Sequence, residues 1–196
     1  MSNRDPFYFA RPDDTAEVQR ALRICLCGMH PPAPMTFQGG EARAWAETVF
    51  LNVLAPHVIA VHGMAHRGEA GGITALDSAL RLPPRSAAAG LELLTHRHGA
   101  RHLPVLRRFE TAVAEGKAVG HFATVLTLHA ANFSIALLPL LQCLLYCECH
   151  VGQPSDAMPG MENLFPLAAA AISGSALSAP PGSSAATPRQ PVLKRV

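Results

Sequence analysis

Residues 118–147 contain no Asp, Glu, Lys or Arg, although charged residues stand on both sides at Lys117 and Glu148. A run of that length without charge must be buried, in a protein interior or in lipid. Its spacing divides it in two. Phe122, Leu126, His129 and Phe133 fall on one helical stripe, Ser134-Ile135-Ala136 interrupts the pattern, and Leu137 to Cys147 is apolar on all sides. Pro139 fits only in the first turn of the second helix, where its missing N–H costs nothing. His121, His129, Asn132 and Gln142 lie inside the run, and each would need a polar partner in lipid. The stretch therefore predicts two helices in the core of a soluble domain. A membrane anchor through 118–147 is the alternative.

The rest of the chain suits such a core. It has 196 residues, of which 49% are hydrophobic and 15% charged, too apolar for a disordered chain. A formal net charge of +2 gives no reason to expect a nucleic-acid partner. The first residues lack the apolar run of a secretory signal, and five cysteines do not make a small disulfide scaffold, so the expected compartment is a reducing cytoplasm.

Helical periodicity recurs along the chain. Asp14 is placed to cap a helix with Glu17 at its third residue, and Val18, Leu22 and Cys25 share a face. Gly28 and the Pro-rich run after His30 end it. A second helix is expected from Glu41, with Trp45, Val49 and Val53 on one face, a kink or restart at Pro56, and a turn marked by Gly63, Gly68, Gly71 and Gly72. Ile73, Leu76 and Leu80 predict a short helix stopped at Pro83-Pro84. Ser86 is expected to cap the next, which carries Leu91 and Leu94 and closes at Gly99. Leu106, Phe109 and Val113 predict another, with Gly116 as its C-terminal stop. No strand alternation persists. The reading is an all-α, single-domain helical bundle: residues 1–34 an N-terminal helix and Pro-rich loop, 35–172 the helical core, and 173–196 a flexible Ser/Ala/Pro/Gly-rich tail.

Three groups of residues carry candidate chemistry. His62 and His66 have the ligand spacing of zinc-protease helices, but Gly63 stands where the catalytic Glu is needed, so the protease reading fails. Cys143, Cys147, Cys149 and His150 combine thiol and imidazole near one helix face, a donor set that suits zinc, copper or nickel. The competing reading is buried cysteines acting as small hydrophobes. The segment from His96 to Arg108, with Arg97 and Arg101, is basic and offers a contact for phosphate or an acidic partner, or a solvated face. No phosphate-binding loop, dinucleotide fingerprint or nucleophile elbow occurs, which favours binding or scaffolding over catalysis.

The order of motifs resembles a known family. His66-Arg67-Gly68, then Ala75-Leu76-Asp77-Ser78-Ala79-Leu80, then Arg85-Ser86-Ala87-Ala88-Ala89-Gly90-Leu91-Glu92-Leu93-Leu94 are similar to the middle of urease accessory protein F. That family has a helix ending in Ala-His-Arg, a Leu-Asp-x-x-Leu helix and an Arg-x-x-Ser-x-x-x-Gly-x-x-Leu-Leu helix. His121 to Leu126 resembles its His-x-x-Val-Phe-Gly start, and Ile135 to Tyr146 its Leu-Pro…Tyr-Leu-Tyr helix. Gly152-Gln153-Pro154-Ser155-Asp156 is similar to its Gly-Gln-Thr-Asp segment, and Phe37-Gln38-Gly39-Gly40-Glu41 to its Phe-x-x-x-x-Gly-Leu-Glu motif. The resemblance spans about residues 35–172. The full Phe-Pro-x-Gly-x-Phe turn is missing, and the stretch before the Gly-Gln segment is shorter than in the family.

The resemblance implies an all-α cytoplasmic homodimer without enzymatic activity. It implies binding to urease accessory proteins of the D/H type and to a G-type GTPase, and help in delivering nickel to apo-urease. Nickel would be handled by the complex and not held directly by this chain. Gly39, Gly40, Glu41, Arg97, Arg101, Gly152, Gln153 and Asp156 are then candidates for partner contact. The alternatives are a helical protein binding metal through the Cys/His group, or a small membrane-anchored protein.

Overall fold

The computed structural model describes residues 12–27, 41–96, 104–149 and 164–177. Among them every regular element is helical, in one all-α bundle: α1 Pro12–Cys25, α2 Glu41–Arg67, α3 Ala70–Ala79, α4 Pro84–Thr95, α5 Pro104–Ala114, α6 Phe122–Asn132, α7 Leu137–Cys149 and α8 Phe165–Leu177.

The uncharged run supplies the centre. It forms two helices of 11 and 13 residues, α6 and α7, with Ser134 in the left-handed region (φ 53°) at the break between them. Pro139 is the third residue of α7, as its missing donor demands. Each helix is too short to span a bilayer, which takes about 20 residues. Every residue from Phe122 to Ala131 is buried, because α1, α2, α4, α5 and α7 all pack on α6. Among the described residues one helix, α2, is long and apolar enough to cross a membrane, with 39% of its most apolar window buried.

Several local expectations are corrected. α1 starts at Pro12, a residue suited to the first turn, so Asp14 lies inside the helix and not at its cap. It also belongs to the core: Val18, Ala21, Leu22, Cys25 and Leu26 are buried, and α1 packs on α6 and α7. In α2 the buried face is Ala46, Phe50 and Leu54, one position on from Trp45, Val49 and Val53, and Val53 is 39% exposed. Both registers are apolar in sequence, so periodicity could not choose between them. Residues Ala46–Leu54 form a π-helical stretch that returns to α-helix at Ala55, one residue before Pro56, and the helix continues unbroken through Gly63. The Asn52 side-chain amide donates to the carbonyls of Glu47 (3.1 Å) and Thr48 (2.8 Å), supporting those turns from outside. The turn after α2 is confined to Gly68 and Glu69. Gly68 adopts φ 78°, while Gly71 and Gly72 already lie in α3.

α4 begins at Pro84 with Pro83 in the capping position, so Ser86 is internal and its hydroxyl serves another helix. α4 ends at Thr95, and Gly99 lies outside the described residues. In α5, Leu106 and Phe109 are buried as expected, and Gly116 takes φ 70° after the helix. α8 runs to Leu177, past the compositional change at Ser173; the remainder of the tail lies outside the described residues.

Candidate functional site

Asp77 is the one acidic residue between Glu69 and Glu92, and it falls on the same face of α3 as Ile73 and Leu80. An acid on an apolar stripe is driven into the core with the stripe, and Asp77 is fully buried. A buried carboxylate is tolerated only with several donors. Asp77 has four. Oδ2 accepts the N–H of Val119 (2.8 Å) and Gly120 (2.7 Å); Oδ1 accepts the N–H of His121 (3.0 Å) and the hydroxyl of Thr124 (2.6 Å). These donors gather at the N-terminus of α6, where free N–H groups and the helix dipole favour an anion. Gly120, at φ 79°, lets the chain turn its amides toward the carboxylate.

The network extends outward. Thr124 gives its proton to Asp77, so the His57 Nε2–H donates to the Thr124 hydroxyl (2.9 Å), which places a proton on His57 Nε2. Burial pushes the His57 base down to about 4, with Asp77 opposing and His121 reinforcing the shift. His121 donates Nε2–H to the Leu80 carbonyl (3.2 Å), and its buried Nδ1 has no hydrogen-bond partner among the described residues. The Phe122 N–H donates to the Ser86 hydroxyl (3.3 Å). Gly90 faces the same point: a methyl group there would stand 2.8 Å from both His121 C and Phe122 N. Asp77 and Thr124 are sealed from solvent, and the threonine proton is directed at the carboxylate and not at the histidine. The arrangement is a lock joining α2, α3, α4 and α6, not a nucleophile and base.

Beside the lock, α4, α6 and α7 line an open pocket of about 220 Å³ that includes Arg85, Ala89, Glu92, Phe122, Cys147 and Glu148. Arg85 Nη2 meets Glu148 Oε2 at 3.1 Å across it. Burial raises the Glu148 carboxyl above its ordinary range, and the Arg85 charge opposes that.

The predicted thiols are buried. Cys143 faces α1, its Sγ donating to the Val18 carbonyl at 3.4 Å, while Cys147 also lines the pocket beside Arg85. Burial pushes the Cys25 and Cys149 thiols up to about 12, and Cys143 and Cys147 upward as well. Thiols held protonated are poor ligands. Among the described residues no three of His, Cys, Asp or Glu are grouped to hold a metal ion, and His150 lies outside them. The fold does bring Cys25 into the electrostatic range of Cys143 and Cys147, a juxtaposition that sequence spacing could not reveal. His129 joins this region by donating Nδ1–H to the Cys25 carbonyl (2.9 Å), with Cys27 Sγ at 3.6 Å from the same nitrogen.

His62 and His66 do share a face at the end of α2. Their Nε2 atoms are 3.4 Å apart, and His62 Nε2 is 3.2 Å from the Ile135 carbonyl oxygen. Of the residues proposed for partner contact, Glu41 is exposed at the start of α2; Gly39, Gly40, Arg97, Arg101, Gly152, Gln153 and Asp156 lie outside the described residues.

Sequence reasoning did not single out His57, and it named Asp77 and Thr124 only within motifs. The available signal was an acid on an apolar helical face. Comparison with protein-family models, with curated proteins and with solved structures finds no match.

Proposed function

We propose that this chain is a helical accessory chaperone of urease maturation, a non-enzymatic scaffold of the urease accessory protein F type. In this reading it is cytoplasmic and dimeric. It binds accessory proteins of the D/H type and a G-type GTPase, and the complex delivers nickel to apo-urease. One observation supports the reading above the others. The residues that carry the resemblance are scattered along the sequence but meet at one point in the fold. Asp77 of the Leu-Asp helix, Ser86 and Gly90 of the Arg-x-x-Ser-x-x-x-Gly helix, and His121 at the start of the next are all parts of the lock on the α6 N-terminus. Chance similarity among Ala-, Leu- and Gly-rich helices gives no reason for the matching positions to be those the packing constrains most.

Co-expression with the urease GTPase and the D/H-type accessory protein tests the proposal. The expected result is a stable co-purifying complex and higher urease activity in nickel-supplemented cells that contain this chain. A monodisperse monomer with no affinity for either protein overturns it.

A further inference from the structure

The pair His62 and His66 is not used by the lock or by the proposed scaffold role, and its geometry is that of a chelate. The two Nε2 atoms are 3.4 Å apart while the ring centroids are 4.6 Å apart, with the ring planes at 76°. The rings therefore converge through their nitrogens. Two imidazole nitrogens bound at about 2.05 Å to a tetrahedral zinc ion stand about 3.3 Å apart, whereas cis positions of an octahedral ion at that distance would bring them to about 2.9 Å. A third lone-pair atom completes the cluster: the Ile135 carbonyl oxygen, 3.2 Å from His62 Nε2, presented by the break between α6 and α7. Without an ion the His62 Nε2–H donates to this carbonyl; both spacings measured from His62 Nε2, 3.2 and 3.4 Å, are close to those a tetrahedral ion sets between neighbouring ligands.

The surroundings suit an ion that exchanges with solvent. His66 is exposed and His62 half-buried, so the site has an open side for water. Burial lowers the His62 base, the hydrogen bond to the Ile135 carbonyl opposes this and the nearby His66 adds to it; the net lowering favours the neutral imidazole that a metal requires. The nearest cationic side chain along the helix, Arg67, is engaged by Glu69 at 2.6 Å.

We propose that His62 Nε2, His66 Nε2 and the Ile135 carbonyl form a surface site for a divalent late transition ion, zinc above all, with water in the remaining position. The site pins the end of α2 to the α6–α7 break. The proposal does not rest on the urease reading, since it uses only the geometry of these three groups.

The test is a zinc sulfate titration of the full-length protein, followed by the imidazole ¹⁵N signals assigned to His62 and His66. The expected result is saturable movement of both Nε2 signals. His66→Gln should weaken the response of His62 about tenfold or more, while Cys27→Ser leaves it unchanged. His66 is exposed, so its replacement leaves the fold intact. Absence of any saturable change at these rings overturns the site. So does a His62 response that is the same in His66→Gln as in the unaltered protein.

Discussion

Gly90 and Gly120 approach so closely that a methyl group on Gly90 would overlap the Gly120 carbonyl oxygen. This contact seats α4 against the turn that starts α6. Nothing but a hydrogen on the Gly90 α-carbon fits there, because the opposing atoms are backbone and are themselves held by Asp77.

Gly90→Ala should therefore cost about 3 kcal/mol, at the upper end for overpacking, despite the better helix propensity of alanine. Gly71→Ala is the control. It lies in α3 with open space around the added methyl group, and it should gain about 0.5 kcal/mol. Urea denaturation of the two variants measures the contrast. Equal effects would show that the α4–α6 approach is looser than described.

Replacing Asp77 separates the charge from the shape. Asp77→Ala strands three backbone N–H groups and the Thr124 hydroxyl, and should cost about 4 kcal/mol or prevent folding. Asp77→Asn keeps a carbonyl acceptor but turns an amide toward part of the donor set, and should cost about 2 kcal/mol. Thermal unfolding of both variants decides the order. An asparagine variant no more stable than the alanine variant would contradict the donor assignment.

His57 makes stability depend on pH in a defined window. Its base is at about 4 in the folded chain and about 6.5 when unfolded. Between these values the unfolded chain takes up a proton that the folded chain refuses. Stability should therefore fall as pH drops from about 6.5 to 4, by up to about 3 kcal/mol from this residue, and be insensitive to it above 6.5. His57→Gln retains a donor for Thr124 and should flatten this part of the profile. Denaturation midpoints from pH 7 to 4 in both proteins are the measurement.

The thiols should divide by reactivity. Cys27 is half-buried, and Cys25, Cys143, Cys147 and Cys149 are buried. Burial pushes the Cys25 and Cys149 thiols up to about 12 and keeps Cys143 and Cys147 protonated too. At pH 8 a soluble disulfide reagent should modify Cys27 rapidly and the other four only on the timescale of unfolding. Rapid release of more than one equivalent, persisting in Cys27→Ser, would place a second thiol at the surface.

Much of this architecture was legible in the residues themselves. A long run without charge must be buried, in protein or in lipid, Pro139 can sit only in a first turn, and the break at Ser134 follows where the apolar stripe loses phase. Those conclusions depend on local covalent limits and on burial, which periodicity reports directly. The face that α2 buries did not follow, because Trp45-Val49-Val53 and Ala46-Phe50-Leu54 are both apolar, and only packing against the other helices separates them. Nor did Ser86, which looked like a helix cap until Pro83 took that position and left the hydroxyl to accept from Phe122. The lock lay further out of reach. His57, Asp77 and Thr124 stand far apart along the chain and carry no shared pattern, and their partners are largely backbone N–H groups, which every residue but proline possesses. The sequence by itself determined that the chain folds as helices around an uncharged centre. Which polar groups that centre admits was decided by tertiary structure alone, because a buried carboxylate is stable only where the end of another helix arrives to meet it.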